Sequence, residues 1–128
     1  MNPFKVLIID DQLYVRRSLQ ELLSMLYPKA TIFISENDGD SLQMVKDHQP
    51  HFISLDLTMP GLGGKRLCPK LMDLSPNSSI YIMSALNSNA VQNEMKELGA
   101  KGFLNKPVNL QDLKLIVDKI HEDLGIQV

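Results

Sequence analysis

Residues 5–11 read Lys-Val-Leu-Ile-Ile-Asp-Asp, a short apolar and β-branched run that ends in two adjacent carboxylates. An uninterrupted apolar run of this length is typical of a strand that is buried on both faces. Four more short runs follow along the chain, and longer segments with apolar residues at helical spacing separate them. This alternation predicts an α/β domain in which helices join parallel strands.

The five predicted strands are short and mostly apolar: Lys5–Ile9, Thr31–Ser35, Phe52–Leu55, Ile80–Met83 and Gly102–Leu104. In the intervening segments apolar residues recur every three or four positions, as Val15, Leu19 and Leu23 do in the first. Pro28 ends the first helical segment, and Asn37-Asp38-Gly39 forms the turn into the second. Gly99 closes the fourth with a left-handed cap, and Gly125 ends the last. The pattern predicts one doubly wound, five-stranded parallel sheet with helices on both faces.

Composition sets limits on the class of protein. Among 128 residues, 44% are hydrophobic and 22% are charged, which is typical of a globular domain. We expect one domain over residues 1–128, with its core at about 3–125. The net charge of -2 does not provide the basic surface of a nucleic-acid-binding protein. The lone Cys68 excludes a disulfide framework, and no apolar run approaches the ~20 residues of a membrane span. A cytoplasmic protein that binds neither nucleic acid nor membrane is expected.

Polar side chains follow four of the predicted strands near the point where each ends. They are Asp10 and Asp11 after the first strand, Asp56 after the third, Ser84 after the fourth and Lys106 after the fifth. Right-handed crossovers bring the carboxyl ends of parallel strands to one edge of the sheet, where ligands bind in open α/β folds. We therefore expect these five side chains to lie close together.

Three carboxylates at one edge need cations to offset their repulsion. Two unit charges 4 Å apart repel by about 4 kcal/mol at an effective dielectric constant near 20. Lys106 offsets one charge, and a divalent cation offsets the other two. Carboxylate, carbonyl and water oxygens are the ligands of Mg²⁺, which also binds phosphate oxygens. A carboxylate nucleophile, a hydroxyl and an ammonium group beside Mg²⁺ favour phosphoryl transfer to a carboxylate.

In these features the sequence resembles the receiver domain of two-component response regulators, over about residues 3–125. The resemblance rests on four motifs: Asp10-Asp11, Asp56-Leu57-Thr58-Met59-Pro60-Gly61, Ser84-Ala85 and Lys106-Pro107. Each motif is weak alone, but together they occur in order and at strand ends. The resemblance implies a flavodoxin-like sheet with strand order 2-1-3-4-5. It also implies a cis peptide bond before the proline of the last motif.

The resemblance assigns the metal and the acceptor. It implies that Asp56 accepts the phosphoryl group. It also implies that Asp11, Asp56 and the Thr58 backbone carbonyl hold Mg²⁺, for which Mn²⁺ is a substitute. Asp10 would assist through a water molecule.

The resemblance further implies a switch. Ser84 would donate its hydroxyl to the phosphoryl group, and Lys106 would bind one phosphoryl oxygen. Phe103 occupies the position of a switching aromatic residue, and it would rotate inward into the space that Ser84 leaves. The surface formed by the fourth helix, fifth strand and fifth helix would change as a result.

The same resemblance implies the partners. A sensor histidine kinase or a phosphotransfer protein would donate the phosphoryl group. A downstream protein or an output domain would bind the switched surface, which is also a candidate for homodimer formation. Such a module is not an enzyme in the usual sense, because it catalyses only its own phosphoryl transfer and dephosphorylation.

Three other functions share part of the pattern. A Mg²⁺-dependent phosphohydrolase with an aspartyl nucleophile places a second Asp two residues after it, where this chain has Thr58. A flavodoxin-like electron carrier has a Ser/Thr/Gly-rich phosphate loop after the first strand, where this chain has acidic residues. A degenerate receiver that serves only for docking is disfavoured by the intact acidic set.

Several positions allow simpler interpretations or depart from common receiver sequences. Taken alone, Asp10 is a helix cap and Phe103 a residue of the sheet edge. The segment Gly61-Leu62-Gly63-Gly64 stands where an Asp-Gly pair is more frequent, which predicts a looser start of the third helix. Leu86 lies two residues past Ser84 and has no group to orient water, so we expect slow dephosphorylation.

The remaining reactive side chains carry no predicted chemistry. His48, His51 and His121 lack the spacing of metal ligands and are expected at the surface. Cys68 is expected to be a small buried hydrophobic residue of the third helix.

Overall fold

Strands and helices alternate along the whole of the described chain. The structure is a computed structural model that describes residues 3–59, 61–85 and 88–125. Its elements are β1 (Lys5–Ile9), α1 (Leu13–Leu26), β2 (Thr31–Ser35), α2 (Asp38–His48), β3 (Phe52–Asp56), α3 (Gly64–Leu74), β4 (Ser79–Ser84), α4 (Asn89–Glu97), β5 (Gly102–Asn105) and α5 (Leu110–Leu124). The predicted alternation of five strands with five helices is confirmed.

The strands form one parallel sheet in the order β2-β1-β3-β4-β5. This order confirms the one that the resemblance implied. Alternate side chains of β1 point to opposite faces, so Val6 and Ile8 enter one core cluster while Leu7 and Ile9 enter another. Because all four are fully buried, the strand has no wet face, which explains its continuous apolar sequence.

Helices cover both faces of the sheet. One cluster packs α1 and α5 against the sheet, and it includes Leu19, Leu23, Leu113, Val117 and Ile120. The other packs α2, α3 and α4 against the opposite face, and it includes Val45, Leu67, Cys68, Leu71 and Met95. The predicted burial of Cys68 is confirmed. No helix within the described residues is both long and apolar enough to cross a membrane.

Three predicted strands are too short at their carboxyl ends. The residues that follow the predicted strands, Asp56, Ser84 and Asn105, belong to the sheet. Asp56 is in register with Met83 on β4, and Ser84 on β4 is in register with Asn105 on β5. Strand pairing uses the backbone and continues past the last apolar side chain, so polarity alone marks the end one residue too early. As a result, Asp56 and Ser84 are held by the sheet itself.

The start of α2 also differs from the prediction. The side chain of Asn37 accepts a hydrogen bond from the Asp40 backbone N–H at 2.9 Å and caps the helix. Asp38 and Gly39 are therefore the first helical residues and do not form a separate turn. Satisfying an amino-terminal N–H in this way lets the helix begin directly after the asparagine.

The expectation that the histidines lie at the surface is wrong for His121. Its side chain is buried, and Nδ1 lies 2.8 Å from the Val117 carbonyl oxygen. Its ring centroid lies 4.2 Å from that of Phe4. His48 and His51 are partly buried, and His51 stacks on Phe4 with centroids 5.4 Å apart. Flat imidazole rings fill this aromatic cluster while their nitrogens bond the backbone.

Candidate functional site

Three carboxylates lie together at the carboxyl edge of the sheet. Ile9 and Leu55 are in register, so the residues that follow them, Asp10 and Asp56, lie side by side. One carboxylate oxygen from each of Asp10, Asp11 and Asp56 lies within 4.8 Å of the others. Asp10 and Asp56 are 1% and 2% exposed, whereas Asp11 is exposed. The cluster is therefore closed on its inner side and open to solvent beside Asp11.

Lys106 joins this cluster from the end of β5. Its Nζ lies 3.0 Å from Asp10 Oδ2 and 3.3 Å from Asp56 Oδ1. Its backbone N–H donates to the Ser84 carbonyl oxygen at 3.2 Å, and the Lys106–Pro107 peptide bond is cis, as the resemblance implied. The predicted convergence of these charged groups is thus confirmed.

Burial and charge act in opposite directions in the cluster. Burial raises the pKa of Asp10, the hydrogen bond from the Gln12 backbone N–H and the Lys106 charge lower it in part, and the nearby Asp56 raises it further. For Lys106, burial lowers the pKa, but the ion pairs with Asp10 and Asp56 outweigh burial, so its pKa is raised. The charged form of Lys106 is therefore favoured, and the charged form of Asp10 is disfavoured.

The carboxylate of Asp56 is held through one of its two oxygens. Thr58 donates both its backbone N–H and its hydroxyl to Asp56 Oδ1, each at 3.1 Å. Lys106 contacts the same oxygen. Within the described part of the chain, no hydrogen bond or ion pair reaches Asp56 Oδ2. The geometry fixes the carboxylate while it leaves one oxygen free to react.

The donor set fits a divalent cation. Asp10 Oδ2 is buried and, among residues 3–59, 61–85 and 88–125, it accepts no hydrogen bond and has only the ion pair with Lys106. A buried anionic oxygen with so few partners is costly, and a cation beside it removes the cost. Three carboxylates and open access for water provide the hard oxygen ligands that Mg²⁺ and Mn²⁺ bind.

Ser84 and Phe103 lie on the same face of the sheet. Ser84 is registered with Asn105, and Ile82 is registered with Phe103. Because side chains alternate along a strand, all four point to the face that α3 and α4 cover. Ser84 is buried at the last position of β4, and Phe103 is half-buried one step behind it. The two predicted switch residues are thus neighbours in the pleat.

Sequence reasoning missed Arg16. Its guanidinium donates to the Asp10 carbonyl oxygen at 2.9 Å and pairs with Glu36 at 3.4 Å. It therefore holds the peptide between Asp10 and Asp11 from α1. Glu36 had no predicted role, because only the folded chain brings the loop after β2 next to α1.

Sequence reasoning also missed Asp38, which was predicted only as a turn residue. Its Oδ2 accepts a hydrogen bond from the Leu62 backbone N–H at 2.6 Å, across 24 residues of sequence. Two other predicted positions, Pro60 of the phosphoacceptor motif and Leu86, lie outside the described residues.

Comparison with known proteins agrees with this geometry. The sequence profile of the family described as "Response regulator receiver domain" matches residues 6–118. Protein-glutamate methylesterase/protein-glutamine glutaminase 2 of Saccharophagus degradans is 33% identical over 127 residues, which cover 98% of this chain and 33% of that protein. Chemotaxis protein CheY of Thermotoga maritima is 29% identical over 106 residues, which cover 80% of this chain and 85% of CheY.

Solved structures show the same fold. The signal receiver domain of a DNA-binding response regulator from Colwellia psychrerythraea superposes with a TM-score of 0.86 at 26% identity, covering 93% of this chain and 98% of that one. The present chain spans about a third of the methylesterase's length and most of CheY's length.

Proposed function

The chain belongs to the response regulator receiver domain family, and from this premise we propose that it is a phosphorylation-switched signalling module with Asp56 as its phosphoacceptor. The observation that carries the proposal is the convergence of Asp10, Asp11, Asp56 and Lys106 at one edge of the sheet. The acidic cluster needs a cation. Lys106 contacts Asp56 Oδ1, the oxygen that also accepts hydrogen bonds from Thr58. These are the requirements of phosphoryl transfer to a carboxylate.

Asp56 supplies the nucleophile of the transfer. An anionic oxygen of Asp56 attacks the phosphorus atom of the donor, and the free Oδ2 is the oxygen suited to do so. The bond between phosphorus and the donor's leaving atom breaks, and its electron pair stays with the donor. Attack by a carboxylate oxygen requires no proton transfer from Asp56. The ammonium of Lys106 offsets negative charge on the transferred group.

Receiver domains bind Mg²⁺ at an acidic cluster, and the residues here fit one. We propose that Asp11, Asp56 and the Thr58 backbone carbonyl hold it, with Asp10 acting through a water molecule. When bound, the ion neutralises phosphoryl oxygens during transfer. Thr58 orients Asp56, and Asp10 fixes Lys106 beside it.

Phosphorylation would then drive the switch. The phosphoryl group adds about two negative charges and three acceptor oxygens, and the Ser84 hydroxyl donates to it. A shift from 1:99 to 99:1 needs about 5.5 kcal/mol, while one charge-assisted hydrogen bond supplies roughly 1.5–3 kcal/mol. Lys106 and inward packing of Phe103 supply the rest. Because Phe103 lies on β5 beside α4, this movement changes the α4-β5-α5 surface.

Receiver domains of response regulators interact with histidine kinases or phosphotransfer proteins and with output domains. We propose that a histidine kinase or a phosphotransfer protein donates the phosphoryl group to this chain in the cytoplasm. We also propose that an output partner or domain binds the α4-β5-α5 surface, where homodimer formation is an alternative. Leu13 and Tyr14 at the start of α1 are 52% and 80% exposed and follow closely after Asp11. They offer an apolar contact to a donor that approaches Asp56.

The proposal is tested by intact mass after incubation with Mg²⁺ and acetyl phosphate. We expect a gain of one phosphoryl group in the natural sequence and in Asp73→Asn, whose carboxylate is exposed on α3. We expect no gain in Asp56→Asn. If the natural sequence gains no mass, the result would indicate a domain that serves only for docking. Steady turnover of a phosphomonoester would indicate a hydrolase instead.

The lifetime of the phosphoryl group is a separate prediction. We expect slow hydrolysis because Leu86 offers no group that orients water. Leu86→Glu should speed the loss of the mass adduct after the donor is removed. A rate that stays unchanged or falls would contradict this.

A further inference from the structure

We propose that Asp38 is a positioning residue that restrains the loop between β3 and α3, and thereby the metal-binding end of the phosphoacceptor site. The inference rests on the proposed function, since it concerns the affinity of that site for its divalent cation. Asp38 is the first residue of α2, in a different strand-helix unit from Asp56. It reaches the loop at Gly61 and Leu62, a few residues after Thr58.

The carboxylate of Asp38 is turned into the loop and away from solvent. Oδ2 accepts a short hydrogen bond from the Leu62 backbone N–H, at 2.6 Å. Oδ1 is buried and accepts no hydrogen bond within the described ranges. A surface aspartate would keep both oxygens hydrated, so this arrangement costs stability. Costs of this kind are typical of residues that are kept for function.

The position at the start of α2 makes this cost tolerable. The amino terminus of a helix carries a partial positive charge, which stabilises an anion in its first turn. The helix terminus therefore favours the Asp38 side chain beside Leu62 without a cationic side chain to pair with it in the described structure.

Gly61 provides the space for this contact. Its φ is +106°, and a β-carbon added there would clash with Asp38 Oδ2. Any side chain would therefore collide with the carboxylate and also strain the backbone. Three glycines in the segment 61–64 would leave the loop loose, as the sequence predicts. The bond from Asp38 supplies an external restraint at its middle.

The restraint acts on the site through Thr58. Asp56 holds the start of the loop through the Thr58 N–H and hydroxyl, and Asp38 holds its middle at Leu62. Without the second anchor, the described residues at the two ends of this stretch, Thr58 and Leu62, are less restrained. The Thr58 carbonyl, which the proposed function assigns to the cation, then occupies its binding position less often. Loss of Asp38 should weaken cation binding more than it slows the attack by Asp56.

The test compares Asp38→Ala with Asp40→Ala, which removes an exposed carboxylate from the same helical turn. Asp38→Asn retains an acceptor oxygen and serves as the conservative variant. For each full chain, the rate of phosphorylation by acetyl phosphate is measured across a Mg²⁺ titration, which separates the half-saturating concentration from the maximal rate. Hydrogen exchange of the Leu62 amide is measured in parallel.

We expect Asp38→Ala to raise the half-saturating Mg²⁺ concentration roughly 10-fold, the lower end for residues that orient metal ligands. The maximal rate should change much less, and the Leu62 amide should lose protection. Asp40→Ala should leave all three quantities unchanged, and Asp38→Asn should recover most of the Mg²⁺ response. This recovery keeps the test valid if the alanine variant folds poorly.

Equal half-saturating Mg²⁺ concentrations in Asp38→Ala and Asp40→Ala would overturn the inference, while the mass adduct would still support the proposed function. Unchanged protection of the Leu62 amide in Asp38→Ala would overturn it as well. If the natural sequence gains no phosphoryl group, the proposed function fails. Calorimetric titration of Mg²⁺ into the same variants then decides the role of Asp38 by itself.

Discussion

Asp10 is a buried carboxylate that lies beside a second carboxylate at the site. It is 1% exposed, it neighbours Asp56, and its Oδ2 has Lys106 as its ion-pair partner. Burial raises its pKa, so the folded protein holds this carboxylate in its charged form at a cost. A site that binds a cation and a phosphoryl group keeps this charge because the ligands relieve it.

We predict that Asp10→Asn stabilises the protein in the absence of divalent cations. The change removes a buried charge, while Lys106 keeps its partner Asp56. The gain should be about 1–3 kcal/mol at neutral pH, the cost of an uncompensated buried polar group. The folded-state pKa of Asp10 lies above 3.8. The loss of folding stability that its buried charge causes is therefore absent below pH 3.8 and grows as pH rises through the folded-state pKa. Urea unfolding at neutral pH and below pH 3.8 checks this, with Asp73→Asn as control, and lower stability of Asp10→Asn at neutral pH would contradict it.

The sequence predicts some of the site residues and misses others. Asp10, Asp56 and Lys106 were predictable because each follows an apolar run, and the parallel sheet brings such ends together. Asp38 and Arg16 were not, because their partners come from loops that the sequence does not place. His121 was misplaced, since spacing rules for metal ligands say nothing about aromatic packing.

Among the elements, β1 and β3 are joined at their starts by His51. Its Nδ1 accepts the Lys5 backbone N–H at 2.9 Å, and its ring stacks on Phe4. The bond requires the neutral imidazole with its proton on Nε2. Burial lowers the pKa of His51, and the charges of Lys5 and His121 lower it further.

We predict that His51 makes stability depend on pH. The folded-state pKa lies below 6.5, so between these two values the unfolded chain binds more protons than the folded one. Stability is therefore lost as pH falls through 6.5 and continues to fall until the folded-state pKa is reached. His51→Asn, which keeps an acceptor oxygen, should flatten the dependence of the urea midpoint on pH, whereas His48→Gln should not. Equal slopes in His51→Asn and the natural sequence would contradict the prediction.

The elements themselves were largely predictable, but their ends were not. The spacing of apolar residues separates the short buried strands from the amphipathic helices, and Pro28 and Gly125 mark helix ends. β3, β4 and β5 each run one residue past the last apolar position because backbone pairing continues to Asp56, Ser84 and Asn105. The start of α2 at Asp38 also differs from the prediction, because the Asn37 side chain caps the helix there.

Across the whole molecule, strand order determines whether the site forms. With β1 and β3 adjacent at the centre, Asp10 and Asp56 meet, and β4 and β5 bring Ser84 and Lys106 to the same edge. Periodicity predicts strands and helices but does not order them. The order 2-1-3-4-5 came from the family resemblance, and the structure agrees with it.

We predict that Mg²⁺ stabilises the folded chain as a whole. A ligand that binds only the folded state adds about 2.7 kcal/mol to the free energy of unfolding when its concentration is about one hundred times its Kd. The thermal midpoint should rise with Mg²⁺ concentration and return to its starting value when a chelator is added. Asp11→Asn should weaken the response, and Asp73→Asn should not. A midpoint that ignores Mg²⁺, or an unaltered response in Asp11→Asn, would contradict the cation site.

The most direct test of the account is to locate the phosphoryl group on the chain. After incubation with acetyl phosphate and Mg²⁺, borohydride reduces an acyl phosphate to an alcohol, so a phosphorylated aspartate becomes homoserine in the peptide map. We predict homoserine at position 56 and nowhere else, with none formed when Mg²⁺ is chelated. Homoserine at position 10 or 11, or an unmodified Asp56 in a chain that has gained a phosphoryl group, would contradict it.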